Sequence, residues 1–290
     1  MRNRPVVKDF GWNQVNKMYP TLFTIGPFTV HSFGLMVALA FIAALYLMSF
    51  LVKRGVVKGL GEEGVSQFLI FAMLGGAFGA RFAYVCEHWS TEFAGRPFTE
   101  VFRFDKGGLM FYGGLFGAIL AIILFARLKK VNLVDLLDMC AAILPLGHAF
   151  GRCGCFLNGC CYGRVADCAI SVTYPPNSPA WSEQVLSGAL SRGAAASLPV
   201  LPSQLIEAGA NLLLFAVLFS VIRKKAARGL VSGLYLVCYA VIRFFTETLR
   251  SDPRMTVGVF SISQFLSLLV FAAGIVFIVF SKKNRQSNGA

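Results

Sequence analysis

Apolar residues run along the chain in seven blocks, near 30–52, 65–86, 108–128, 133–150, 204–222, 229–248 and 258–280, each bounded by glycine, proline or charge. A helix that crosses a bilayer needs roughly 20 apolar residues. Most blocks reach that length; the fourth is short and the sixth carries charges. The pattern predicts an all-α membrane protein, a bundle of about seven transmembrane helices. Residues 151–203, the longest non-apolar stretch, are rich in Gly, Pro, Ser and Cys and predict a small external head lobe. Residues 1–28 scatter Lys and Arg before Pro20, Gly26 and Pro27, without the layout of a cleaved signal peptide. They predict an N-terminal interfacial segment. The remaining boundaries follow: 29–150 for spans 1–4, 204–280 for spans 5–7, and 281–290 for a solvated cytoplasmic tail.

Composition narrows the class. The chain is 56% hydrophobic and 14% charged, with a mean hydropathy of +0.66. Soluble chains carry about 25% charged residues, so a soluble domain is excluded. A net charge of +13 would suggest nucleic acid in a soluble protein. Here it fits anchoring of cytoplasmic loops and contact with anionic lipid headgroups, and no nucleic-acid partner is expected. Lys53, Arg54 and Lys58, then Arg127, Lys129 and Lys130, then Arg223, Lys224, Lys225 and Arg228, then Lys282, Lys283 and Arg285 sit in short segments beside span ends. The other cations outside the spans are nearly as numerous but spread over long segments, where the positive-inside rule weakens. The N-terminus and the 151–203 lobe are therefore expected outside, and the C-terminus in the cytoplasm.

Charge inside the spans points to chemistry. Arg81 and Arg243 fall within apolar blocks, where an ionisable residue costs at least about 2.5 kcal/mol. Arg81 reads as a functional group, a structural ion pair or a cation reaching for the interface. Arg243, Glu247 and Arg250 are spaced i, i+4 and i+7 and share one helical face. That face is either a self-neutralising stripe or a surface of net charge +1 aimed into a polar cavity. GGAFGAR (75–81), KGGLMFYGGLFGA (106–118) and LGHAFGRCGCFLNG (146–159) place small residues where helices can approach closely, and Tyr112 sets a phenol beside Gly113 and Gly114.

The densest segment is GHAFGRCGCFLNGCCYGR (147–164), with His148, Arg152, Asn158, Tyr162 and four cysteines. Arginine suits phosphate because its planar fork bonds two oxygens. Of eight cysteines, five lie between 153 and 168. An outside location permits disulfides, and packing or metal ligation are the other readings. The spacing is not that of a Cys-x-x-Cys site, so no metal is expected.

IGPFTVHSFGLM (25–36), GARFAY (79–84), DKGGLMFYGG (105–114), GRCGCFLNG (151–159), PSQLIE (202–207), GLVSGLY (229–235) and YAVIRFFTETLR (239–250) resemble, in order and spacing, the prolipoprotein diacylglyceryl transferase family over nearly the whole chain. The resemblance implies a seven-span protein of the bacterial inner membrane with an external head. It implies transfer of diacylglyceryl from phosphatidylglycerol to the lipobox cysteine thiol of prolipoprotein signal peptides, with glycerol phosphate leaving and no cofactor. Arg152 matches the signature arginine, Asn158 its second asparagine and Gly163 an essential glycine. Arg243 and Glu247 match the pair on the late helix, and Tyr239, Gln204 and Glu207 also match. Cys155 stands for the signature's first asparagine and Cys160 for its glutamate. Tyr112 stands for a histidine before Gly-Gly, Phe33 for a tyrosine of the first span and Leu201 for a histidine before Pro-Ser-Gln. On this reading Arg152 and Arg243 act on the phosphate and favour the thiolate, Glu247 holds Arg243, and Arg250 joins their face. Tyr112 or His148 takes the proton. Two other readings are a membrane thiol–disulfide protein using the 153–168 cysteines and a non-catalytic lipid-binding paralogue.

Overall fold

The computed structural model describes residues 19–26, 28–104, 107–224, 226–250, 256–257 and 260–287. Residues 1–18 of the expected interfacial segment, Lys225 and the end of the expected tail lie outside this set. Among the described residues, seven helices are long and apolar enough to cross a membrane. They are α1 (Ser32–Lys53), α2 (Glu62–Glu87), α3 (Phe111–Lys129), α4 (Leu133–Asn158), α6 (Ser203–Arg223), α7 (Leu230–Glu247) and α8 (Ile262–Ser287), with a short α5 (Pro179–Leu186) between α4 and α6. The protein is an all-α multi-pass membrane protein. Among the described residues the strands form two hairpins: β1 (Thr21–Ile25) with β2 (Phe28–His31), turning at Gly26 with φ +58°, and β3 (Thr256–Val257) with β4 (Phe260–Ser261).

Three boundaries differ from the hydropathy pattern. The fourth span is not short, and the lobe does not begin at 151. α4 continues to Asn158, because cysteine is a small apolar residue and glycine alone does not stop a helix. It stops at a glycine in the left-handed region: Gly159 has φ +67°, its N–H donates to the Phe156 carbonyl at 3.1 Å, and Cys160 N–H donates to the Cys155 carbonyl at 3.1 Å. Those two bonds make a Schellman cap. At the other end Asn132 Oδ1 accepts from Val134 N at 2.9 Å, a side-chain N-cap. Next, α7 ends at Glu247 in tight i→i−3 turns, among them Arg250 N to the Glu247 carbonyl at 3.2 Å. Arg250 therefore leaves the helical face it was expected to share, and its backbone bridges to Gly163 instead. Finally, α8 runs to Ser287, into the segment expected as tail.

The chain divides into two compact units. One takes Phe41–Pro145, Leu213–Tyr239 and Leu269–Ala290. Here α2 and α3 meet glycine to glycine: a methyl built on Gly79 would stand 2.8 Å from the Gly117 Cα, closer than carbon atoms approach. Such small-residue faces let membrane helices touch by their backbones. Arg81, 5% exposed, holds the chain entering α3. Its guanidinium donates to the carbonyls of Val101 at 2.8 Å, Gly107 at 2.8 Å, Gly108 at 3.2 Å and Glu100 at 2.9 Å, and it lies 5.4 Å from the Phe93 ring. Among the described residues its charge is met by backbone dipoles and aromatic faces. Gly108, at φ +71°, has no room for a Cβ, which would meet Tyr84 Cδ1 and Arg81 Nη1 at 2.8 Å. In the same unit Asp138 of α4 accepts from Gly229 N at 2.7 Å, Ser232 N at 2.8 Å and Ser232 Oγ at 2.6 Å. A buried carboxylate thus caps the N-terminus of α7, where the helix dipole favours negative charge.

The other unit takes Met1–Ala40, Leu146–Leu212 and Ala240–Leu268. It holds the lobe between α4 and α6, whose core is Tyr162, Tyr174, Ala180 and Val200 with Phe156 and Val172 packed against it. Tyr162 OH donates to Glu183 at 2.6 Å, so this tyrosine of the dense segment belongs to the lobe's core. Burial pushes the Tyr174 phenol up to about 12, with a hydrogen bond to Gln204 opposing.

Candidate active site

Within this second unit, three helices bring two arginines and two carboxylates together. Arg152 comes from α4, Glu207 from the first turns of α6, and Arg243 and Glu247 from the last turns of α7. Glu207, 3% exposed, is the bridge: its Oε1 lies 3.0 Å from Arg152 Nη2 and its Oε2 4.0 Å from Arg243 Nη1. Arg243 Nη2 reaches Glu247 Oε2 at 2.9 Å and donates to Ser263 Oγ at 3.1 Å. Ser261 Oγ donates to Glu247 Oε1 at 3.1 Å. Among the described residues, the buried Arg243 Nη1 has no hydrogen-bond partner. A buried donor left unmet costs about 1–3 kcal/mol or more when charged, so the arrangement is poised to receive an acceptor there.

The start of α8 supports the pair. Ser261 Oγ accepts from Gln264 N at 3.2 Å while Gln264 Oε1 accepts from Ser261 N at 3.0 Å. This is a capping box, and it aims the Ser261 hydroxyl at Glu247. The Ser-x-x-Gln pattern opening the seventh apolar block was a legible signal for it, missed along with Ser263.

The other expected residues divide between the units. His148, one turn before Arg152 on α4, pairs with the Asn211 side chain, and Arg152 and Arg243 are the cations that bear on it. Asn211 Nδ2 donates to the Glu207 carbonyl at 2.8 Å. Gln204, 1% exposed, donates to the Cys160 carbonyl at 2.8 Å and to Tyr174 OH at 3.2 Å. Asn158, the last residue of α4, lies beside the Cys160 thiol. Gly163 threads between two backbones: a Cβ there would meet the carbonyl oxygens of Leu201 and Leu249 at 2.8 Å each. Only glycine lets Gly163 N donate to Leu201 O at 2.8 Å while Arg164 N donates to Leu249 O at 2.8 Å. Tyr112 and Tyr239 belong to the first unit. Tyr112 is half exposed at the start of α3 against Phe111, and Tyr239 stacks on Tyr235 at 5.5 Å.

All eight cysteines are free thiols. Three of them gather, with the Sγ atoms of Cys155, Cys160 and Cys161 within 4.8 Å of one another. The neighbouring Cys155 and Cys160 thiols hold the Cys161 thiol below the ordinary thiol range, opposed by burial and aided by the charge of Arg250.

Seven apolar spans among the described residues, with paired guanidinium and carboxylate groups on three of the helices, define a polytopic membrane protein that carries charge within its spans. A family model for prolipoprotein diacylglyceryl transferase matches residues 20–280. A protein of Xanthomonas oryzae pv. oryzae (strain PXO99A) named phosphatidylglycerol–prolipoprotein diacylglyceryl transferase is 33% identical over 273 residues, covering 91% of each chain. One of Clostridium perfringens (strain 13 / Type A), named phosphatidylglycerol–prolipoprotein diacylglyceryl transferase 2, is 31% identical over 261 residues, covering 90% of this chain and 94% of that one. The chain belongs to the prolipoprotein diacylglyceryl transferase family and is a transferase. The thiol–disulfide and non-catalytic readings are not favoured.

Proposed function

We propose that the protein transfers a diacylglyceryl group from phosphatidylglycerol to the lipobox cysteine thiol of a prolipoprotein signal peptide. The substrate thiolate attacks the glyceryl carbon that bears the phosphate. The new C–S bond forms as that carbon's C–O bond breaks, and glycerol phosphate leaves with the electron pair. The observation that carries this reading is the Glu207-bridged pair Arg152 and Arg243, with the Arg243 Nη1 donor unmet. Two guanidiniums in a low-dielectric site neutralise the charge that builds on a phosphate leaving group. Gly163, Asn158 and Gln204 hold the turn after α4 and, with Glu247 and Arg250, complete the proposed substrate-binding set within this unit. We place the site toward the outer leaflet of the bacterial inner membrane, with the N-terminus and the lobe outside and the C-terminus in the cytoplasm.

The test is a lipidation assay with purified protein, phosphatidylglycerol and a lipobox peptide. Arg152→Lys keeps the charge but loses the two-oxygen fork, and its rate is expected to fall at least tenfold. An unchanged rate would remove Arg152 from the phosphate. The same assay assigns the proton acceptor. Tyr112→Phe removes only a hydroxyl, and His148→Gln removes only the titrating nitrogen. General-base catalysis is worth roughly 10²–10⁴-fold, and Tyr112→Phe, at the family position, is expected to lose that much. If only His148→Gln does so, the role passes to His148. If neither does, no side chain named here is the base.

A further inference from the structure

We propose that Cys155, Cys160 and Cys161 bind one thiophilic d10 metal ion of the Zn²⁺ class through three thiolates, leaving a fourth coordination position open. The three Sγ atoms already lie within 4.8 Å of one another. Zinc–sulfur bonds of about 2.3 Å in tetrahedral geometry place sulfur atoms about 3.8 Å apart. Closing the remaining gap, about 1 Å at most, needs only side-chain torsion.

The backbone is arranged to make this gathering possible. Cys155 sits on the last turn of α4, and the cap at Gly159 folds the chain back over it: the Cys160 N–H bonds the Cys155 carbonyl at 3.1 Å. Cys161 then takes φ +62°. That conformation is uncommon for a residue with a side chain, and it persists where the surroundings over-determine it. In a strand, neighbouring side chains point to opposite faces; the left-handed residue lets the two adjacent thiols converge on the third. Both loop cysteines are pinned from α6, Cys160 O by Gln204 Nε2 at 2.8 Å and Cys161 O by Ser203 Oγ at 3.0 Å. The ligand backbone is thus organised without any ion.

The donor chemistry selects the metal. Among the described residues no histidine, aspartate or glutamate joins the three thiols. Such all-sulfur sites favour zinc and copper(I) over magnesium, calcium or manganese. A divalent ion with three thiolates carries a net charge of −1, and the Arg250 guanidinium, whose positive charge bears on Cys161, is the outer partner such a site needs. Three protein ligands with an open fourth position is the pattern of a reactive rather than a closed structural zinc. The Cys-x4-Cys-Cys spacing argues against a metal only while the chain is read as linear, because it is the turn at Gly159 that closes the site.

The experiment is metal binding by full-length purified protein in detergent, read apart from lipidation. After reduction and exposure to Zn²⁺, about one equivalent should remain bound per chain. Co²⁺ should give thiolate-to-metal charge-transfer absorption, and Zn²⁺ should protect these three cysteines, but not exposed Cys168, from alkylation. Cys155→Ser and Cys161→Ser should each weaken binding at least tenfold, while Cys168→Ser leaves it unchanged. The protection measurement uses the unaltered chain, so it stands even if a serine variant fails to fold. Reduced protein that retains no zinc and alkylates equally with and without it would overturn the proposal. So would a Cys155 disulfide whose reduction yields no metal binding.

Discussion

Glu207→Gln is expected to lower stability by about 3–5 kcal/mol, the cost of breaking a buried ion pair from one side, and to cut the lipidation rate at least a hundredfold. The substitution keeps the size of the side chain and removes one charge. It matters because that charge serves two partners on two other helices, Arg152 at 3.0 Å and Arg243 at 4.0 Å. An amide can donate or accept at this place but cannot hold two guanidiniums together against their mutual repulsion. With Glu207 neutral, only Glu247 remains to balance them within the group, and it is committed to Arg243 at 2.9 Å. Thermal unfolding in detergent reads the first effect and the purified assay the second. Normal stability with a hundredfold rate loss would make Glu207 a group that acts on substrate rather than one that assembles the arginines. Normal values of both would remove it from the site.

The spans were legible in the sequence because membrane helices must satisfy every backbone group internally and face lipid with apolar side chains. Helix ends were less so. α4 was read as stopping at 150, since hydropathy falls through Gly147, Gly151 and Arg152, yet the hydrogen-bonding signal that ends it is Gly159. Arg250 was placed on a helical face by spacing alone, but α7 has closed before reaching it. Glu207 was named only through resemblance. Its bridging role joins residues on three helices, and a periodic pattern reports neighbours on one helix, not partners across several. Arg81 shows the same limit in the other direction. An arginine in an apolar block signals that something answers its charge, but the sequence does not say whether that is a substrate or, as here, four backbone carbonyls. The gathering of Cys155, Cys160 and Cys161 was hidden for the reason α4 was misread, since it depends on where that helix ends.

The arginine and glutamate of α7 give the sharpest separation of structure from chemistry. Arg243→Ala alone is expected to lower protein level in the membrane and to abolish measurable lipidation, because Glu247, 8% exposed, then keeps Ser261 but loses the cation at 2.9 Å. Breaking such a pair from one side costs about 3–5 kcal/mol. Removing both, in Arg243→Ala with Glu247→Ala, takes both charges off α7 and leaves Glu207 paired with Arg152 at 3.0 Å. The double variant should therefore recover membrane level, a coupling a double-mutant cycle reads directly. Its rate should stay at least a hundredfold down, the scale of losing one preorganised donor to a developing anion, because the buried Nη1 that awaits an acceptor is gone. Recovery of level without rate makes Arg243 a ligand of the reacting phosphate. Recovery of both would mean that Arg243 only neutralises Glu247, and the phosphate contact would then rest on Arg152 alone.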